Sequence, residues 1–334
     1  MPVVDHGLPW LNAPTARLCG EFERGQLGHA PLLHGPKGIG KHALAHALAS
    51  AILCPNRQAS PADTTPQATG GACGQCEACQ MIAAGSHPDL FVVSVLEDAK
   101  EIVVDQVRAL IEKVALTSAA GAHRVAVIES AELMNANAAN ALLKTLEEPP
   151  NNVWLILVSH APGRLPPTVW SRCQKVVVQP PSLEDAGRWL DLQAQAFDAT
   201  QRRLALKMAS GAPCLALSHL EAGLTETAES VWEALVGIVK GEGLRPDLPT
   251  QWADHASATW TCLAYWVSEL ATGEVLALGD DGRLGEVLGQ AHHKDWSELW
   301  SSALEGLALT GSGVRQDLLL GRWLLAWENH WHSG

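Results

Sequence analysis

Positive charge is what this sequence has least of. Among 334 residues, 23 are Lys or Arg against 36 Asp or Glu, a formal net charge of −13. That balance argues against a protein that grips a nucleic-acid backbone over a wide surface unaided, because phosphate contacts need cations. A local basic patch stays compatible with it. Also missing is any apolar run of membrane-spanning length. The stretch Met1-Pro-Val-Val-Asp-His-Gly has neither the basic nor the apolar region of a secretory leader, so cytoplasmic residence without membrane attachment is expected. No internal repeat or long low-complexity segment interrupts the chain. Charged residues make up 18% and hydrophobic residues 47%, a composition with ample core material. The length predicts two or three domains.

Against these absences stands Pro31-Leu-Leu-His-Gly-Pro-Lys-Gly-Ile-Gly-Lys-His-Ala-Leu. A short apolar run enters a turn carrying Gly35, Gly38 and Gly40, then Lys41, then a helical pattern to about Leu53. Strand, glycine loop, lysine and helix form a P-loop, in which backbone N–H groups and a helix N-terminus cradle phosphate. One part is missing here too. The pattern wants a hydroxyl after the lysine to hold Mg²⁺, and His42 occupies that place.

Eight cysteines are present, and their distribution suits a metal site in a reducing compartment better than a disulfide framework. Cys73, Cys76 and Cys79 form C-x-x-C-x-x-C, with Cys54 upstream. Two-residue spacings let thiolates converge on one tetrahedral ion, so a closed structural Zn²⁺ site at Cys54, Cys73, Cys76 and Cys79 is expected. Free thiols with a redox pair, and an iron–sulfur cluster, are the other readings of this spacing. His87 is the substitute ligand should Cys54 lie too far away.

Buried strands are expected at 90–95, 124–130, 153–159 and 175–178, besides the run before the P-loop. Helical spacing covers 10–27, 103–114 and 135–148, the last stopped by Pro149 and Pro150. Strands alternating with helices imply a mostly parallel sheet covered on both faces, an α/β nucleotide-binding domain. In such domains a second strand ordinarily ends Asp-Glu, one holding Mg²⁺ and the other polarising water. Here it ends Ile128-Glu129-Ser130. Glu129 could still serve a metal, with its carboxylate displaced by one methylene, but Ser130 is no general base at neutral pH. Glu132 lies beyond the strand end. The loop therefore predicts a degenerate nucleotide site at Gly35, Gly38, Gly40, Lys41, His42 and Glu129. Phosphate binding fits it and hydrolysis does not; occupancy by ATP stays open.

Two longer stretches carry a resemblance. Ala139-Asn-Ala-Leu-Leu-Lys-Thr-Leu-Glu-Glu-Pro-Pro, and Val158-Ser-His-Ala-Pro-Gly-Arg-Leu-Pro-Pro-Thr-Val-Trp-Ser-Arg-Cys, resemble the bacterial clamp-loader branch of the AAA+ family. With the cysteine insertion the likeness spans roughly residues 20 to 180. It implies a P-loop domain over 1–179 with a zinc module at about 54–79, a helical lid over 180–220 and an all-α collar over 221–334. It implies a largely non-hydrolysing stator, part of a replicative DNA polymerase holoenzyme but without polymerase activity. In Ser171-Arg172-Cys173 it makes Arg172 an arginine finger, supplied in trans to a neighbouring ATPase site, where a guanidinium stabilises charge on the transferred phosphoryl. The implied partners are the gamma and tau ATPase subunits, the clamp-opening delta subunit, the sliding clamp and, through the assembly, primed DNA. Arg164 reads as a solvated loop residue. Ser159 is either a polar sensor or a core or capping serine. Where the family's lid carries a nucleotide-sensing arginine, this chain has Cys214, a third missing part.

Two other functions remain compatible with the residues. One is an active ATPase motor tolerating His42 and Glu129; the other is a zinc-dependent DNA-binding module with a vestigial P-loop. Beyond about Glu221 the pattern is helical, with breaks at 241–249 and 279–282. Nine of the thirteen tryptophans fall there (Trp232, Trp252, Trp260, Trp266, Trp296, Trp300, Trp323, Trp327, Trp331), as bundle core or at a subunit interface. His292, His293, His330 and His332 read as surface residues.

Overall fold

The computed structural model describes residues 7–57, 71–97, 99–116, 123–273 and 295–332. Residues 1–6, most of the Pro/Ser/Thr-rich stretch before the cysteines, the break at 279–282 and His292-His293 lie outside the described residues, as does the side chain of His332. Contacts divide the chain into two compact units, 1–193 with 211–215, and 194–210 with 216–334.

The first unit is built on five parallel strands: β1 (Pro31–His34), β2 (Leu90–Val93), β3 (Arg124–Ile128), β4 (Val153–Ser159) and β5 (Gln174–Val177). Their spatial order is β2-β3-β4-β1-β5. All pairings are parallel; Leu32 lies opposite Leu157 and Lys175, and Val127 opposite Val92 and Ile156. Parallel neighbours need crossover connections, and helices supply them. These are α2 (Lys41–Leu53), α3 (Glu77–Ala83), α4 (Val104–Ala115), α5 (Ala136–Glu147) and α6 (Pro167–Trp170), while α1 (Asn12–Glu23) precedes β1 and α7 (Leu183–Gln193) follows β5.

Because strand side chains alternate, each strand feeds two cores. Leu32, Ala126, Ile128, Leu155 and Leu157 pack with Val107, Leu110 and Val114 of α4 and Leu142 and Leu146 of α5. The intervening residues Leu33, Val125, Val127, Ile156 and Val158 are just as buried, and α2 contacts β1, β3 and β4. The near-continuous apolar strands of the sequence thus reflect burial on both faces. Asn135 caps α5 by accepting from the Ala138 N–H at 2.9 Å, and Ser182 accepts from the Asp185 N–H at 3.1 Å ahead of α7. At the other end of the sheet Arg124 pairs with Asp89 at 3.3 Å and donates to the Val114 carbonyl at 2.8 Å, so a charge on a buried strand is compensated.

The second unit is all helical: α8 (Ala199–Met208), α10 (Leu224–Val239), α11 (Leu248–Ala253), α12 (Ala256–Thr272), α13 (Ser297–Ala308) and α14 (Gln316–His332), with α9 (Pro213–Glu221) beginning in the stretch that groups with the first unit. Its core holds Trp232, Trp252, Trp260, Trp266, Trp296, Trp323, Trp327 and Trp331, whereas Trp300 is exposed. Core packing therefore accounts for all but one of these tryptophans. Burying an indole strands its N–H unless a partner is found. Trp266, Trp323 and Trp327 donate to the carbonyls of Ala228, Leu299 and Leu235 at 2.8, 3.0 and 3.2 Å, and Trp260 to Gln316 Oε1 at 2.9 Å. No helix among the described residues is long and apolar enough to cross a membrane.

Candidate functional site: the phosphate loop and the cysteine cluster

The loop between β1 and α2 turns through backbone conformations that L side chains avoid. Gly35 has φ +153° and Gly38 φ +78°. A Cβ on Gly35 would stand 2.4 Å from the Val178 carbonyl oxygen, and one on Gly38 would stand 2.3 Å from the Leu215 Cβ. Neither position admits another residue without backbone movement. Gly40 then caps α2, whose first residue is Lys41.

Lys41 is 1% exposed, and burial pushes its ammonium down to about 8. Its Nζ donates to the Gly35 carbonyl at 2.7 Å and to that of Pro36. The loop's own oxygens thus satisfy the cation. Nearby, the Cys214 N–H donates to the Gly38 carbonyl at 3.0 Å, and burial pushes the Cys214 thiol up to about 11. At the position expected for a sensing arginine there is instead a small half-buried thiol, clasped to the loop by its backbone.

His42 does not point at a hydroxyl's task. Its Nδ1 lies 3.3 Å from Glu129 Oε1, while its Nε2 is 3.3 Å from His160 Nε2. His46, one helical turn later, places Nε2 3.2 Å from the same Glu129 oxygen. These two imidazoles hold the Glu129 carboxyl down to about 2. Ser130, next along, stands in the left-handed region at φ 55°, a strained conformation for a residue with a side chain. Ser159 is fully buried, and its Oγ has no hydrogen-bond partner among the described residues; Glu132 Oε1 accepts from the His160 N–H at 3.1 Å. Burial lowers His160 to about 4, so this imidazole is neutral at physiological pH.

Sequence reasoning placed His42 and Glu129 in the pocket but overlooked His46 and His160. His46 was detectable, since it repeats His42 at the four-residue spacing that stacks side chains on one helix face. His160 carried no such periodicity; it sits just past the end of β4, beside the strand end that carries Glu129.

The four cysteines do converge. Cys54 Sγ is 3.6 Å from Cys73 Sγ and 3.7 Å from Cys76 Sγ, and all four sulfurs lie within 4.8 Å of one another. Tetrahedral Zn–S bonds of about 2.3 Å would set neighbouring sulfurs about 3.8 Å apart, so this donor set fits zinc. The Gln75 and Cys76 backbone N–H groups bring the Cys73 thiol down to about 6, towards the thiolate a metal needs. Cys54 is within reach, so His87 has no vacancy to fill; its Nδ1 accepts from the Asp89 N–H at 3.1 Å.

Arg172 stands apart from both clusters, just after α6. Its side chain is 34% exposed; Nε donates to Glu147 Oε1 at 2.7 Å and Nη1 to the Thr168 carbonyl at 2.9 Å. Glu147 was not singled out from the sequence, where it is one of a pair of glutamates before two prolines. Arg164 is exposed, as expected.

A parallel sheet, a glycine loop at the C-terminal end of its β1 strand and a buried lysine opening the next helix define a P-loop α/β domain. A family model described as "DNA polymerase III, delta subunit" matches residues 12–182. DNA polymerase III subunit delta' of Pseudomonas aeruginosa is 41% identical over 246 residues, 73% of this chain and 70% of that one. Its Yersinia pestis counterpart is 32% identical over 345 aligned positions, 98% of this chain and 96% of that one. DNA polymerase III subunit tau of Bacillus subtilis is 35% identical over 150 residues, 45% of this chain and 24% of that one. The chain belongs to the DNA polymerase III delta' subunit family.

Proposed function

We propose that the chain is a largely non-hydrolysing stator of the polymerase III clamp loader, supplying Arg172 in trans to a neighbouring ATPase subunit while the sliding clamp is loaded on primed DNA. The observation that carries this reading is an asymmetry between two cations of the first unit. Lys41 is spent on its own loop carbonyls, in a pocket whose Mg²⁺-binding hydroxyl is replaced by His42. Arg172 is a third exposed and held by a half-exposed carboxylate it can leave at little cost.

A guanidinium entering a foreign site is useful in phosphoryl transfer because charge on the transferred group grows in the transition state. A chain without its own metal-holding hydroxyl or water-polarising acid can therefore still be needed for a neighbour's turnover. In this reading the gamma and tau subunits are the ATPases, delta opens the clamp, residues 180–220 form a lid and 221–334 a collar. The four cysteines hold one structural Zn²⁺.

The test is clamp- and DNA-stimulated ATP turnover of the reconstituted assembly, with wild-type chain and with Arg172→Ala, beside the isolated chain. The expected result is no turnover by the isolated chain and partial loss in the intact Arg172→Ala assembly. Hydrolysis by the isolated chain that Lys41→Ala abolishes, with Arg172→Ala silent, would establish a motor instead. Tight, salt-sensitive DNA binding by the isolated chain would favour the zinc-module reading.

A further inference from the structure

We propose a second metal site, for a borderline divalent ion such as Zn²⁺, formed by His42, His46 and Glu129 at the mouth of the phosphate loop and requiring no nucleotide. It is distinct from the cysteine cluster in residues and in ligand type.

Three observations carry it. The first is convergence on one atom: His42 Nδ1 and His46 Nε2 approach the same Glu129 oxygen at 3.3 and 3.2 Å. Ligand atoms bonded to one tetrahedral ion at about 2.0–2.1 Å are spaced about 3.3 Å apart, so two edges of a coordination polyhedron are already formed. The cysteines are the one group among the described residues whose ligand atoms all lie within 4.8 Å of each other. Here the third edge, between the imidazoles, is open, and an ion would draw them together.

The second is the scaffold. His42 and His46 are one turn apart on α2, a 13-residue helix, and Glu129 follows the last residue of β3, which α2 packs against. Both elements are fixed by buried cores, so the ligands need only side-chain rotation to close. His42 and Glu129 have side chains 40% and 24% exposed, leaving the ion a path in.

The third is the chemistry of the donor set. A P-loop normally offers hard oxygen ligands to Mg²⁺ at this place. This chain offers two imidazoles and a carboxylate, a His₂Glu set that suits Zn²⁺, Ni²⁺ or Cu²⁺ and disfavours Mg²⁺. The ion-pair partners of Glu129 among the described residues are these imidazoles, and Lys41 is turned to the carbonyls of Gly35 and Pro36. The far nitrogen of His42 meets His160 Nε2 at 3.3 Å, an outer contact of the kind that fixes the tautomer of a metal-bound imidazole. The consequence is a metal staple between α2 and β3 where a magnesium nucleotide would otherwise sit.

The experiment counts metal in the purified full chain, stripped with chelator under reducing conditions and dialysed against buffered Zn²⁺, with Co²⁺ loading in parallel. Wild type is expected to hold two equivalents. His46→Ala and Glu129→Gln should each hold one, with second-site affinity down by about 100-fold or more, while the thiolate-to-cobalt charge-transfer band persists. Excess Mg²⁺ should not displace the second ion. Glu129→Gln keeps the size and hydrogen-bonding reach of the side chain, guarding against a folding defect. One equivalent in wild type, unchanged in both variants, overturns the proposal and shows that the imidazoles and Glu129 share protons only. One equivalent lost in both variants, with no charge-transfer band, sustains this site and removes the cysteine site instead.

Discussion

Arg172 and Glu147 are joined across 25 residues, from the turn after α6 to the end of α5, by an Nε donation of 2.7 Å to Oε1. Glu147 is half exposed and Arg172 a third, so water screens the pair and it contributes at most about 1 kcal/mol to stability. If Arg172 acts in trans as proposed, the pair's importance is orientation: the carboxylate would hold the guanidinium in one place until a stronger anion arrives. Glu147→Ala should leave the unfolding midpoint unchanged. In the assembly it should lower the salt concentration needed to weaken stimulated turnover, whereas Arg172→Ala should slow the affected site by about 1000-fold or more. Single-turnover hydrolysis across a salt series checks both.

The cysteine cluster predicts a difference in thiol reactivity. With Zn²⁺ bound, Cys54, Cys73, Cys76 and Cys79 should resist alkylation, and chelator should expose Cys73 as a fast-reacting thiol, its pKa brought down to about 6, ahead of the buried Cys54 and Cys79. Cys19, Cys173 and Cys262 are buried and Cys214 half-buried, and desolvation raises all four thiols, which keeps them slow in either state. Mass spectrometry of alkylated chain counts the difference. Equal labelling with and without chelator would mean that no metal shields the four.

Gly306 of α13 lies against the Trp260 ring. A Cβ there would be 2.4 Å from Cε2, far inside contact distance, and an indole with its N–H bonded to Gln316 has nowhere to retreat. Gly306→Ala should therefore destabilise the helical unit by about 1–3 kcal/mol, despite alanine's better helix propensity. A lower urea midpoint with unchanged slope checks it.

Acid should weaken the first unit through His123. Its ring sits edge-on to Phe22 at 5.5 Å and Trp154 at 5.0 Å, and burial first, then the Arg57 charge, lowers its affinity for a proton. The unfolded chain, with an ordinary imidazole, then binds the extra proton at higher pH than the folded one. Stability contributed by neutral His123 is present above about pH 6.5 and is lost as pH falls through the lower folded value. His123→Phe should flatten urea midpoints measured between pH 7 and 5; a slope unchanged by the substitution would refute this.

The parts legible in the sequence are those fixed by local geometry. Gly35, Gly38, Gly40 and Lys41 follow from what a tight phosphate loop demands, and the strands from unbroken apolar runs such as Val153–Ser159. C-x-x-C-x-x-C announces itself by spacing, and Cys54 by its place at the end of α2. What stayed hidden depends on strand order. Glu129, legible as a site residue, follows β3, which is two strands from β1, and its contact with His46 comes only from the β3-β4-β1 arrangement. His160 and Glu147 likewise acquire neighbours through the sheet and the α5–α6 packing, distances no local pattern encodes.

The indole-rich core of residues 194–210 and 216–334 gives the molecule two optical registers. Intrinsic emission comes chiefly from eight tryptophans in that one core, whereas cobalt bands would come from cysteines and imidazoles in the other unit. Unfolding followed at both wavelengths on the same sample would separate the two units without cutting the chain. Coincident transitions would mean that they melt as one cooperative body.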